Sequence, residues 1–259
     1  MEFSGKRIQY EKNQIVEMIC QLRFPAILSI DTREPADFQE LVRRDYPRYA
    51  AEPEKPGAAG QGGGRGHIFL SEDGLYKLCL TRSFIALSTV RYTSWTDFAR
   101  WLDEPLGHFI SVYRPACFDR IGLRYINGFS RERLGLSECR WNELIAPQYL
   151  GPLALGETRE EDIRRCSVDM ESRLDERCSL KLHAGPGFIK RNIRTGESVQ
   201  TVQEKQLRFI LDMDLYSGGK IQLASAAGVM DAIHAHADRV FSASITDKLH
   251  EAMEPYELN

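Results

Sequence analysis

Two stretches of this chain follow one order of strand and helix signals, and that repetition limits the folds open to it more than any other feature. An alternating run, Ile15–Phe24, leads to a helix signal, three further strand signals and a long amphipathic helix that ends near Tyr113. Phe118–Phe129 then starts the series again, which closes on a second long helix over Val229–Met253. Side chains alternate across a strand but recur every 3.6 residues on a helix, so the two patterns are separable in the sequence. They predict an α+β fold: a tandem β-α-βββ-α pseudo-repeat, with antiparallel sheet or sheets carrying the helices on one side. The halves are 1–115 and 116–259, read as one compact unit.

In the first run Val16, Met18, Cys20, Leu22 and Phe24 alternate with Glu17, Gln21 and Arg23. A helix with Pro35 in its first turn carries Phe38, Leu41 and Val42, and Tyr46-Pro47 ends it. Residues 50–66 are rich in Gly and Pro, which predicts a mobile loop with no convincing strand leading into it. The segment lacks the GxxxxGK[ST] order of a phosphate loop. Strands follow at His67–Glu72, Leu75–Leu80 and Phe84–Tyr92, the first two joined by Asp73-Gly74. The next helix buries Trp95, Phe98, Ala99 and Leu102, then Leu106, Phe109, Ile110 and Tyr113. Pro105 between these sets predicts a kink or a split.

The second half predicts a short helix over Glu138–Ile145 with Trp141, then strands at Arg164–Leu174, Arg177–Ala184 and Gln206–Tyr216. Residues 185–203 form a partly basic excursion before the last strand. In the final helix Val229, Ile233, His236, Val240, Ile245, Leu249 and Met253 are expected to face inward, with Phe241 at the edge of the stripe.

The 259 residues carry a formal net charge of -3, which gives no overall pull toward nucleic acid. The basic cluster Lys190, Arg191 and Arg194 is the local exception. Neither a signal-peptide pattern nor an apolar run of membrane-spanning length is present, so the cytoplasm is the expected location. Six cysteines without a C-x-x-C pair read as small core residues. G-x-S-x-G, H-E-x-x-H, kinase and Rossmann signatures are absent, and no cofactor is implied.

Candidate chemistry gathers on one polar strand face of the second half. Asp169, Glu171, Asp212 and Asp214 share that face with Arg165, Arg173, Lys181, His183 and Arg208. Close carboxylates can hold a hard cation, and the basic groups can steady an anion. The competing reading is a solvated face laced by cross-strand ion pairs. His234 and His236 stand two apart on a helix and cannot form an i,i+4 metal pair; His236 reads as a core or interface histidine.

Several runs resemble a known family: Tyr10–Glu17 continuing through Cys20–Pro25, Phe38-Gln39 with Tyr46-Pro47, and Tyr92–Trp95 with Phe98 in the first half. Arg120-Ile-Gly-Leu-Arg-Tyr-Ile-Asn127, Leu211–Asp214, and His236 with Phe241 and Ile245-Thr246 extend the likeness over nearly the whole chain. These are similar to a sporadically distributed bacterial family of conserved proteins with no assigned function. The resemblance implies no activity, cofactor or catalytic residue; its patchy distribution implies mobile genes, as in a defence-type locus. The expected role is a non-enzymatic binding or regulatory module that recognises a protein partner or itself. The alternatives are a metal-dependent nuclease or phosphohydrolase using the four carboxylates, and nucleic-acid or small-ligand binding across a saddle-like sheet.

Overall fold

The computed structural model describes residues 8–33, 35–53, 65–156, 159–195 and 198–257, giving the backbone alone for 53, 191–195 and 198–201. In chain order the strands and helices are β1 (Ile8–Tyr10), β2 (Ile15–Arg23), α1 (Leu28–Thr32), α2 (Ala36–Val42), β3 (Arg48–Pro53), β4 (Arg65–Leu70), β5 (Tyr76–Leu80), β6 (Phe84–Thr89) and α3 (Trp95–Tyr113). Then come β7 (Phe118–Phe129), β8 (Val168–Arg173), β9 (Cys178–Gly187), β10 (Lys190–Thr195), β11 (Ser198–Gln203), β12 (Arg208–Ile221), α4 (Ala226–Ser244), α5 (Asp247–Ala252) and β13 (Pro255–Glu257).

Nine strands form one antiparallel sheet in the order β3-β4-β5-β6-β2-β7-β12-β9-β8. Its centre is the β2–β7 pair, where Cys20 lies opposite Leu123 and Leu22 opposite Ile121. Outward from β2 the order is β6, β5, β4, and outward from β7 it is β12, β9, β8; β3 has no counterpart in the second half. A small β1–β13 ladder ties the first described strand to the last.

Helices α2, α3 and α4 cover one face of the sheet. Phe38 of α2 meets Phe69 edge-on, Phe109 of α3 packs on Phe24, and Met230 of α4 touches the Cys20 thiol. The core between these layers alternates down each strand: Met18, Cys20 and Leu22; Ile121, Leu123 and Tyr125; Leu211, Met213 and Leu215. A period of two places the intervening residues on the uncovered face.

Several expectations change. Helix α3 runs unbroken through Pro105. The missing Pro105 N–H would have bonded the Trp101 carbonyl; the Tyr46 hydroxyl donates to that oxygen instead, at 2.9 Å. Around Trp141 only a 3-10 turn forms, Trp141–Glu143. Residues 50–53 and 65–66 belong to β3 and β4, which pair over their full length, so a strand does lead into the glycine-rich segment. Alanines at 50 and 51 conceal it, while Tyr49 anchors it on Phe69. Residues 54–64 lie outside the described set. The excursion at 185–203 is the end of β9 plus the β10–β11 hairpin. The strand expected from Arg164 begins at Val168.

Candidate functional site

The strands over 168–221 are neighbours, so the polar residues singled out above do share one face. They stand there in side-chain pairs, diagonal for Arg120–Asp214 and Arg124–Asp212 and directly opposite for His183–Asp169 and Lys181–Glu171. Arg120 on β7 reaches both Asp214 oxygens at 2.9 Å and lies 4.4 Å above the Tyr216 ring. Arg124 grips Asp212 through Nε at 2.8 Å and Nη2 at 2.5 Å. His183 meets Asp169 at 2.7 Å and Lys181 meets Glu171 at 3.4 Å, while Tyr216 donates to Glu171. The His183 bond holds the Asp169 carboxyl below its usual range, and the Asp212 bond raises the Arg124 guanidinium. Gly122 lets the Arg120 guanidinium cross the strand: a Cβ there would stand 2.5 Å from Nη1.

The remaining candidates sit apart from this ladder. Arg165 precedes β8 and Arg173 ends it, both exposed. Arg208 is buried, bonded to the Gly128 carbonyl and to Glu204, so it serves the fold at the start of β12. Lys190 is exposed on β10; the side chains of Arg191 and Arg194 lie outside the described residues. His236 does not join the inward stripe of α4. Ala237 takes that position, one turn after Ile233, and His236 bonds Asp175 at the β8–β9 turn (2.6 Å) and Arg239. Among the described residues no three His, Cys, Asp or Glu side chains are arranged to hold a metal ion.

A second site lies on the covered face, where sequence reasoning placed none. Asn13 and Gln14 before β2, the Tyr92–Trp95 segment opening α3, Tyr125 and Asn127 at the end of β7, and His234 and Asp238 on α4 surround a cavity of about 90 Å³. The β1 segment and Phe241 form its rim. These residues come from four separated runs. Tyr125 and Asn127 belong to the same Arg120–Asn127 run whose arginines face the other way, because the strand alternates.

The lining is held by its own bonds. Tyr125, 4% exposed, contacts His234 Nδ1 at 2.9 Å, and His234 Nε2 stands 3.4 Å from Asp238. Burial, with Tyr92 and Asp238 nearby, holds the Tyr125 phenol well above its usual range. Trp95 stacks on the His234 ring at 4.9 Å and donates its indole N–H to Asp231 at 2.7 Å. Asn13 Nδ2 donates to the Tyr92 carbonyl, and Asn127 Nδ2 donates to the Leu211 carbonyl. Tyr10 bonds His250 at 2.9 Å and meets Phe241 edge-on, and burial followed by Asp238 pushes its phenol up to about 12. Ser94 caps α3, accepting the Asp97 N–H, and so sets Trp95, the first residue of the helix, at the cavity.

Comparison with protein families and with curated protein sequences finds no match to this chain. No helix among the described residues is long and apolar enough to cross a membrane.

Proposed function

We propose that the chain is a non-enzymatic binding or regulatory module whose ligand site is the aromatic cavity between α3, α4 and the ends of β2 and β7. One observation carries this reading: a cavity is ringed by aromatic side chains and a few fixed polar groups, the usual make-up of a small-molecule site. Its titratable groups support binding over catalysis. Burial holds Tyr10 and Tyr125 protonated, each against a histidine ring, as fixed polar groups that can orient a ligand. The hydrolase alternative has less support, since Glu171, Asp212 and Asp214 each face a cationic partner and Asp169 is bonded to the His183 ring. The test is a thermal-shift screen of polar metabolites, with hits followed by the indole N–H signal of Trp95 in NMR. Hits that move Trp95 support the reading; hits confined to residues of the open sheet face contradict it.

A protein partner, or a second copy, is proposed for the uncovered face. Its interlocked mixed charges favour a protein surface over the phosphate backbone of a nucleic acid. Light scattering on the chain and on Arg124→Glu measures self-association at that face; identical masses at all concentrations would remove the second-copy form of the proposal.

A further inference from the structure

We infer that the cavity takes a flat aromatic molecule presenting an N–H or O–H donor, and that the carboxamide oxygen of Asn127 receives that donor. This rests on the ligand-site reading above and adds the chemical class. Asn127 stands on the covered face of β7, flanked by buried Tyr125 and Phe129 and opposite buried Leu211 on β12. It is 1% exposed and borders the cavity. Its Nδ2 donates to the Leu211 carbonyl at 3.2 Å. A backbone carbonyl only accepts, so this bond fixes which way the amide is turned and leaves Oδ1 on the other side. Among the described residues no group donates to that oxygen.

Neighbouring polar side chains are engaged within the chain. Asn13 accepts the Ile15 N–H and donates to the Tyr92 carbonyl, while Gln14 accepts the Ser130 N–H and donates to the Lys12 carbonyl. Tyr10 and Tyr125 each bond a histidine ring. Asn127 Oδ1 differs from them: it is a buried acceptor that a guest meets unfilled. Burying such an atom without a partner is costly, and buried polar groups are as a rule hydrogen-bonded. A lone water is a poor substitute. It needs about two to four polar partners, and Ile15, opposite Asn127 on β2, with Met213 and Met253 at the same cavity, offers it no donor. The rings of Tyr92, Trp95, Tyr125 and Phe241 border the same space, and an aromatic guest gains ring contacts there beyond its burial. A flat body among the rings with a donor on its edge satisfies both features.

The test follows the Trp95 indole N–H signal in the full chain titrated with indole, benzofuran and 1-methylindole, which share one flat outline and of which only indole has a donor. Indole is expected to shift Trp95 and to bind about fivefold or more tightly than either of the others. In Asn127→Leu, whose fold is checked by circular dichroism, that preference falls to within about twofold. Should the variant fail to fold, the side-chain NH2 signals of Asn127 in the wild-type chain decide. They are expected to move with indole, and signals that stay in place while Trp95 shifts overturn the role of Asn127. Equal binding of the three probes, or an indole preference that survives Asn127→Leu, overturns the donor class yet leaves a ligand site standing. Failure of all three probes to move Trp95 overturns both the class and the ligand-site reading.

Discussion

Tyr46→Phe removes the hydroxyl that completes α3 at its proline. The Trp101 carbonyl has no helical donor, because residue 105 is proline, and Tyr46 supplies one at 2.9 Å from a side chain 2% exposed. Loss of one partner from a buried hydrogen bond costs about 1–3 kcal/mol. Trp101 is part-exposed, so water recovers some of this and we expect about 1.5 kcal/mol. For a chain of this size each kcal/mol lowers Tm by roughly 2–4 °C. The informative assay is a double-mutant cycle by urea denaturation with Pro105→Ala, which returns an N–H to position 105. In that background Tyr46→Phe should cost less than about 0.5 kcal/mol, because the carbonyl no longer depends on the phenol. Equal costs in both backgrounds would refute the argument and leave Tyr46 as a packing residue set edge-on to Trp101.

Other outcomes follow from the same structure. Gly185→Ala should destabilise by about 1–3 kcal/mol in thermal denaturation, since its Cβ would stand 2.3 Å from the Cys166 carbonyl oxygen, a backbone atom that cannot swing away. Gly122→Ala displaces only the flexible end of Arg120; we expect at most about 1 kcal/mol, with loss of the Arg120–Asp214 pair visible in a crystal structure. The Asp175 carboxyl is held below its usual range by the backbone N–H groups of Arg177 and Cys178, then by His236. A folded-state value below the unfolded one gives stability that is complete above about pH 4 and lost as pH falls through the lowered value. Asp175→Asn should therefore flatten the acid limb of the stability profile, and an unchanged limb would contradict the assignment. Burial pushes the Cys178 thiol up to about 11 and the Cys20 thiol higher still, so neither should react with a thiol reagent at neutral pH until the chain unfolds.

Much of the sheet was legible because long, half-buried strands alternate cleanly. Phe118–Phe129 matches β7 at both ends, and the polar faces of β8, β9 and β12 were assigned to the side they occupy. Weak signals failed where tertiary contacts supply what the local pattern lacks. β3 is held by Tyr49 on Phe69, and the carbonyl that Pro105 leaves without a helical donor, that of Trp101, is satisfied by Tyr46, 55 positions earlier in sequence. His236 was placed inward because a histidine at that spacing fits an apolar stripe, yet small Ala237 lets α4 approach β7 and turns His236 aside. The cavity had no local signature at all. Its walls come from residues near 13, 93, 126 and 236, each of which reads alone as core or cap. Their convergence depends on β2 pairing with β7 and on α3 meeting α4 through Trp95 and His234, contacts that no short-range pattern encodes.

The central claim, that the cavity holds a small ligand, is tested most directly by native mass spectrometry of the chain purified gently from its own host. The account predicts an added mass of a few hundred daltons or less, released on unfolding. A clean mass would contradict it.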